Sequence, residues 1–204
     1  MDQKEVSNLS LDDKKSPRRQ FFKKMLGVSG AAALTTFAGL TAPEIASARS
    51  LQPPNNLPPL SNLALFYRLY RPSTGVHFYT TDRNEADNAV RRFGYNDEGS
   101  ACYVITSSFY GTVPLYRLYN PRTNDHFYTV DAREANRAVF RFGYHREGIA
   151  CYVLPDNRSV AFSIPFYRLF NRTNGDHFYT TSTSERDSAV SGGYTDEGIA
   201  CYVL

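Results

Sequence analysis

The sequence predicts a β-rich α+β domain built from three copies of a β-β-α-β unit. A motif of the form Y-R-L-[YF] followed by H-F-Y-T occurs three times, about fifty residues apart, beginning at Tyr67, Tyr116 and Tyr167. Each copy closes with the sequence A-C-Y-V. Because one unit cannot bury both faces of its strands, we expect the three to form one closed domain with pseudo-threefold symmetry. An open row of three units is the alternative.

The first half of each unit has the pattern of a β-hairpin. Residues 65–70 are rich in aromatic side chains, which favours a strand, and residues 77–80 form the returning strand. The turn between them ends in a residue type that tolerates positive φ. These residues are Gly75, Asn124 and Gly175.

The second half of each unit predicts a short helix followed by a buried strand. Asp82 and Glu85 have the spacing of a capping box, and we interpret Glu134 and Glu185 in the same way. Residues 100–105 form a nearly continuous apolar run, which is typical of a buried strand. The predicted apolar stripe of the first helix consists of Ala86, Ala89, Val90 and Phe93.

The N-terminal segment resembles a twin-arginine signal peptide. Arg18 and Arg19 precede a weakly apolar stretch over 25–40, which is shorter than the roughly 20 residues that a spanning helix needs. Residues 46–48 fit a small-x-small cleavage site. We therefore expect export by the twin-arginine pathway to the periplasm or beyond, with no membrane span after cleavage. An uncleaved membrane anchor and a chance basic tail are the alternatives.

These patterns divide the chain into a signal peptide at 1–48, a Pro-rich linker at 49–63 and a three-repeat domain at 64–204. The repeats cover about 64–112, 113–163 and 164–204. Much of the formal net charge of +3 comes from the signal peptide, so the predicted domain itself carries little net positive charge. The sequence therefore argues against nucleic acid as a partner.

The three cysteines occupy equivalent positions in the three A-C-Y-V motifs. They are Cys102, Cys151 and Cys201. An odd number at matched positions does not suggest a disulfide framework, so we expect buried free thiols. A reactive thiol or a thiolate metal site is the alternative, and the redox state after export stays open.

The repeated residues resemble a repeat family of uncharacterised function in secreted bacterial and fungal proteins. Its signature is close to Y-R-L-Y-N-x-x-T-G-D-H-F-Y-T followed by E-G-I-A-C-Y-V, and the resemblance extends from about Leu65 to the C-terminus. This chain departs from the signature at Arg71, Val76, Asn124 and Asn174, among others. Members often carry the repeats beside a peptidase, lipase or glycosidase domain, which implies an accessory targeting role. The resemblance supplies no catalytic residues.

Three sets of polar residues recur once in each unit. We expect them to form a structural network in which an Arg–Glu pair fixes a turn against the first strand. The members of that network are Arg68, Arg117, Arg168, His77, His126, His177, Glu98, Glu147 and Glu197. Convergence of the histidines on a zinc ion, or contact of this network with a polar ligand, is the alternative.

Two sets of aromatic residues are the candidates for ligand binding, because tyrosine can stack on a sugar and hydrogen-bond through its hydroxyl. One set adjoins the hairpin turn and the other follows the glycine at the helix end. The candidates are Tyr70, Tyr119, Phe170, Tyr95, Tyr144 and Tyr194. Packing of these rings in the core or at its rim is the alternative, and the absence of Trp weakens the carbohydrate interpretation.

We infer the function from the repetition of the sequence, because the chain shows no catalytic motif that we recognise. The sequence contains no G-x-S-x-G and no H-E-x-x-H, and we predict neither a cofactor nor a metal. Threefold repetition of polar residues suits a multivalent binder. We therefore expect an exported, non-catalytic module that binds cell-wall or extracellular glycan at shallow sites. A protein-interaction scaffold is the second hypothesis, and a hydrolase or metal-dependent enzyme is the third.

Overall fold

A computed structural model describes residues 58–157 and 162–204. The predicted signal peptide and the predicted linker up to residue 57 lie outside the described residues. A short 3-10 helix, Leu60–Asn62, precedes the first strand. Within the described ranges, no helix has both the length and the apolar character needed to cross a bilayer.

The structure is β-rich with three helices, and the order strand, strand, helix, strand occurs three times. Unit 1 contains β1 (Leu63–Arg71), β2 (Val76–Thr80), α1 (Arg83–Phe93) and β3 (Asn96–Ile105). Unit 2 contains β4 (Val113–Asn120), β5 (Asp125–Thr129), α2 (Ala132–Phe142) and β6 (His145–Val153). Unit 3 contains β7 (Ile164–Phe170), β8 (His177–Thr180), α3 (Thr183–Ser191) and β9 (Thr195–Val203). The predicted α+β class is confirmed.

The first two strands of each unit pair as an antiparallel hairpin. The last residue of the turn has positive φ in all three, which confirms the expectation from its residue type. The values are 71° at Gly75, 62° at Asn124 and 81° at Gly175. Asn124 is the only non-glycine residue with positive φ in the described part of the chain.

The nine described strands form two sheets. Six strands of units 1 and 2 make a nearly closed, barrel-like sheet in the order β2-β1-β3-β6-β4-β5, and unit 3 makes the sheet β8-β7-β9. The third strand of each unit contacts the third strand of the next. Units 1 and 2 meet where Ile105 pairs with Tyr152, and units 2 and 3 meet where Leu154 bridges Tyr202. The backbones of Tyr103 and Leu204 exchange two hydrogen bonds and so connect units 1 and 3.

The third strand is longer than the apolar run predicted. It begins at Asn96 rather than near residue 100, and its first five residues are exposed. The pairing of β1 with β3 shifts register near Ser100, and Gly99 has a φ of 87°. Such a β-bulge keeps the strand paired while it bends. Glu98 therefore lies within a strand at a bulge, not in a turn as the sequence suggested.

The helix boundaries follow from their caps. The side chain of Asp82 accepts hydrogen bonds from the backbone of Asn84 and Glu85, and Gly94 ends α1 in the left-handed conformation at φ 72°. The predicted apolar stripe is correct in its first half, because Ala86 and Ala89 are buried. It is wrong in its second half, since Val90 and Phe93 are exposed.

The main core contains four buried residues from each unit, and three tyrosines lie at its centre. Each tyrosine has no exposed surface and packs edge-to-face on the other two. The hydroxyl of Tyr79 donates to the carbonyl of Tyr179 at 2.7 Å, that of Tyr179 donates to Tyr128 at 2.8 Å, and that of Tyr128 donates back to Tyr79 at 2.6 Å. Each hydroxyl also accepts from the backbone N–H of one of the other tyrosines. No buried phenol in this cycle lacks a partner, as burial requires.

Candidate functional site

A cleft lies at each of the three boundaries between units, and each is lined by residues of both neighbours. The 1–2 cleft, around Tyr95 and His126, has a volume of about 580 Å³. The 2–3 cleft, around Tyr144 and His177, has about 380 Å³. The 3–1 cleft, around Tyr194 and His77, has about 470 Å³. In every cleft the helix and its following tyrosine come from the first unit, and the histidine comes from the second.

An arginine between two glutamates stands at each boundary. Arg117 holds Glu85 of unit 1 through both terminal nitrogens, at 2.9 and 3.0 Å, and its Nε lies 2.8 Å from Glu147 of its own unit. Arg168 makes the same contacts with Glu134 and Glu197. The third arginine, Arg68, contacts Glu185 and Glu98. We call this arrangement the Arg–Glu frame, and it joins each unit to the one before it.

The glutamates at the helix starts therefore act differently from the capping box that the sequence suggested. The side chain of Glu85 accepts from the Thr80 hydroxyl and from Arg117. The backbone N–H of the capping residue Asp82 instead donates to the Thr80 hydroxyl at 3.0 Å. Glu134 and Glu185 repeat this pattern with their own threonines. The capping interpretation is wrong for the glutamates and correct for the Asp82 cap.

These contacts fix the charge of the frame. Burial raises the pKa of Glu85, but hydrogen bonds from Arg117 and Thr80 outweigh it, and the net pKa lies below the usual value of 4.5. The pKa of Glu134 is lowered by the same balance. For Glu185, the hydrogen bond from Arg68 is the largest influence and lowers the pKa. All three carboxylates are ionised at neutral pH.

Each of the three cleft histidines is held between two aromatic rings. The ring of His126 lies 4.9 Å from Tyr119 of its own unit and 4.5 Å from Phe78 of unit 1. Phe170 and Phe127 flank His177 in the same way, each at 4.7 Å. The candidate residues beside the hairpin turn are thus half-buried walls for the histidines. Tyr70 completes the set, 5.0 Å from His77.

A buried carboxylate fixes the histidine in two of the three clefts. Asp125 has no exposed surface and lies 2.6 Å from Nδ1 of His177. It also accepts from the backbone N–H of His177 and from the hydroxyl of Tyr144. Asp176 does the same for His77 and Tyr194. Each aspartate lies directly before the histidine of its own unit in the sequence. It nevertheless binds the histidine of the next unit: Asp125 binds His177, and Asp176 binds His77.

The 1–2 cleft lacks this carboxylate because Val76 occupies the equivalent position. Nδ1 of His126 is buried and, among the described residues, has no hydrogen-bond partner. Burial, with a smaller contribution from the charge of Arg117, lowers its pKa to about 4, so the imidazole is neutral at pH 7. Burial also raises the pKa of Tyr95 to about 12.

The candidate tyrosines after the helices line the clefts but expose little surface. Tyr95 and Tyr144 are each 7% exposed, and Tyr194 is half-buried. Sequence reasoning missed two exposed rings that line the 1–2 and 2–3 clefts, Phe93 at 58% and Phe142 at 59% exposure. The helical pattern predicted that Phe93 lies in the core. Periodicity gives the apolar face of a helix, but it does not show that this end of the helix lies beside the cleft opening.

The cysteines and histidines form no candidate metal centre. No group of three or more ligand-type side chains in the described ranges could hold a metal ion. The three thiols are free and buried. Burial raises the pKa of Cys201 to about 12, and burial likewise raises the pKa values of Cys102 and Cys151.

Comparisons with known proteins connect the chain to one family. No curated protein matches it, and no solved structure matches it. A family model described as a domain of unknown function, DUF5648, matches residues 65–204, which include all three clefts and all but the first two residues of the three units. The chain therefore belongs to the DUF5648 family.

Proposed function

We propose that the chain is an exported, non-catalytic module that binds glycan in the clefts between its units. The clefts carry this proposal, because each combines aromatic rings with polar groups in a volume between about 380 and 580 Å³. Concave sites with aromatic walls and a few fixed polar groups are typical of small-ligand binding. The polar groups recur at every boundary and pair with one another, which favours repeated binding sites over a single catalytic centre.

Export is part of the same proposal. The twin-arginine motif, the weakly apolar stretch and the cleavage site at 46–48 support passage to the periplasm or beyond. The proposal also includes the linker and repeat boundaries that we inferred from the sequence. A glycan ligand at the cell surface fits that destination.

We further propose that the three units are repeats related by pseudo-threefold symmetry and closed into a ring. The hydrogen bonds among Tyr79, Tyr128 and Tyr179 run around a complete cycle. The Arg–Glu frame likewise occurs at all three boundaries. Equivalent clefts in a closed ring would let weak sites add through avidity on a polymeric ligand.

The exposed phenylalanines supply the main contacts in this mechanism. Phe93 and Phe142 would stack on the apolar face of a sugar ring at the rims of the 1–2 and 2–3 clefts. The 3–1 cleft has no such ring among its lining residues, and serines line that side instead. We therefore assign the stronger sites to the first two clefts.

The test is co-sedimentation of the full chain with insoluble peptidoglycan, chitin, cellulose and starch. The variant F93A/F142A removes both rim rings without touching the Arg–Glu frame. Phe140→Ala is the matched control, because Phe140 is 86% exposed on α2 but lies outside all three clefts. We expect the wild type and the control to sediment with at least one polysaccharide and the double variant to stay in solution. Sedimentation with none of the four would overturn the wall-polysaccharide proposal.

The second candidate function is a protein-interaction scaffold. The ring of Phe140, which is 86% exposed and lies outside every cleft, favours it, because this apolar surface is available to contact a protein partner. In the same test, retention of glycan binding by Phe140→Ala would separate the two functions. Absence of glycan binding, together with a partner captured by the wild type and lost with Phe140→Ala, would favour the scaffold.

A further inference from the structure

We propose that the 2–3 cleft selects an acidic sugar, through a carboxylate bound by Arg122 and Arg137. This inference rests on the proposed glycan function and names the chemical class for one of the three sites. The observation behind it is a difference in charge among clefts that share the same frame.

Two arginines in the 2–3 cleft have no carboxylate partner in the part of the chain that the structure describes. Arg122 lies in the turn after β4 and Arg137 lies on α2, and both line the cleft and are exposed. Neither makes an ion pair with any residue in the described ranges. The cleft therefore offers two guanidinium groups whose hydrogen-bond donors are available to a ligand.

The frame does not neutralise these two arginines. Both glutamates of the cleft, Glu134 and Glu197, are already bound to Arg168, at 2.9 and 2.7 Å. Asp125, behind the cleft wall, is fully buried and bound to His177. The acidic groups nearest the opening thus have their own partners, and the free positive charge belongs to Arg122 and Arg137.

The 3–1 cleft lacks this charge. Its lining contains one arginine, Arg68, against the two glutamates Glu98 and Glu185, whereas the 2–3 lining contains three arginines against two glutamates. The helix position equivalent to Arg137 is Ser188, and the turn position equivalent to Arg122 is Thr173. A carboxylate is therefore repelled in the 3–1 cleft and favoured in the 2–3 cleft.

The aromatic wall distinguishes a sugar acid from a free anion. Phe142 at the rim and Phe127 with Tyr144 at the floor line the same cleft as the two arginines. An aromatic surface beside a guanidinium pair matches a pyranose that presents an apolar face and a carboxylate edge. A small inorganic anion would use only the arginines.

The test compares tetragalacturonate with its methyl ester, which keeps the sugar rings and removes the charges. Binding to the full chain is measured by isothermal titration calorimetry at 50 and 500 mM NaCl. The variant R122Q/R137Q removes both charges. R133Q/R141Q is its control, because it removes the same charge from the same helix region outside the cleft.

We expect wild type and control to bind the acid about ten-fold more tightly than the ester, with weaker binding at high salt. R122Q/R137Q should bind acid and ester alike. Equal binding of acid and ester by the wild type would overturn the carboxylate proposal and leave the glycan proposal intact. Binding of neither, when the polysaccharide test succeeds, would also overturn it. Competition by 5 mM inorganic phosphate as strong as that by galacturonate would identify a general anion site and reject the sugar assignment.

Discussion

The boundary between units 1 and 2 and the boundary between units 2 and 3 have the same frame but different buried networks. At both, an arginine holds a glutamate of the preceding helix, at 2.9 Å from Arg117 to Glu85 and 2.9 Å from Arg168 to Glu134. Only the second boundary has a buried aspartate that binds the histidine. The first has Val76 in its place.

This difference separates the contacts that join adjacent units from the contacts that fix the side chains lining the cleft. Because the chain forms both boundaries, the buried aspartate is not required to join adjacent units. The aspartate fixes the histidine and tyrosine that line the cleft and adds a buried charge with full hydrogen bonding. The 1–2 boundary therefore has a neutral imidazole whose Nδ1 lacks a hydrogen-bond partner among the described residues, where the other two have an aspartate–histidine pair.

The largest expected effect comes from making the second boundary like the first. Asp125→Val leaves the His177 ring, its backbone N–H and the Tyr144 hydroxyl without their acceptor. We expect the free energy of unfolding to fall by about 4 kcal/mol, the cost of breaking a buried charged network. Urea unfolding followed by circular dichroism measures this. The control is Asp187→Asn, whose carboxylate is 66% exposed. A loss below about 1 kcal/mol would show that the aspartate does not stabilise the boundary.

The frame should matter equally at both boundaries. Arg117→Met and Arg168→Met each retain most of the apolar stem but leave two glutamates without their shared arginine. We expect each to cost about 3 kcal/mol in urea unfolding, because charge-assisted contacts to both glutamates are lost while the glutamates remain partly solvated. Effects that differ by more than about 1 kcal/mol would contradict the conclusion that the frame is equivalent at the two sites.

The pH dependence of stability should reveal the buried, neutral His126. The pKa of His126 is about 4 in the folded chain, against 6.5 for an unperturbed histidine, so the unfolded state binds the extra proton in between. The contribution of the neutral His126 to the free energy of unfolding is therefore fully present above pH 6.5. It is lost as the pH falls towards 4. Between pH 7 and 5 we expect this residue to contribute a loss of about 2 kcal/mol.

The matched variant for this measurement is Val76→Asp, which supplies the missing carboxylate. An NMR titration of the His126 ring should show its pKa rising in that variant. The stability loss contributed by His126 between pH 7 and 5 should then become smaller. An unchanged His126 pKa in Val76→Asp would mean that the new carboxylate does not reach Nδ1.

The smallest effect concerns the N-caps of the first two helices. Asp82→Ala and Asp131→Ala remove the N-caps of α1 and α2, whose side chains accept from backbone N–H groups. We expect each to cost about 1 kcal/mol in thermal or urea unfolding. Similar losses would locate the difference between units 1 and 2 at their boundaries. A difference of more than about 1 kcal/mol would mean that the units also differ internally.

Local features of the fold could be predicted because they depend on neighbouring residues. The positive φ at Gly75 and Asn124 follows from the residue types that tolerate it, and the Asp82 cap follows from a short side chain before a helix. Contacts between units could not be predicted in this way. Glu85 looked like a capping residue because its partner, Arg117, is 32 residues further along the chain. Phe93 looked like a core residue because periodicity gives a helix face but not what covers it.

The sequence by itself determined the strand-strand-helix-strand order, the turn positions, the helix starts and the residue types that recur in every unit. These depend on short-range sterics, capping and alternation, which act within a few residues. Tertiary structure alone decided which carboxylate meets which arginine and that Asp125 binds the histidine of the following unit. It also decided that Val76 leaves Nδ1 of His126 without a hydrogen-bond partner in the described part of the chain. Those outcomes depend on which surfaces meet when the units pack together. The spacing of residues within one unit does not show which side chains of the neighbouring unit they will contact.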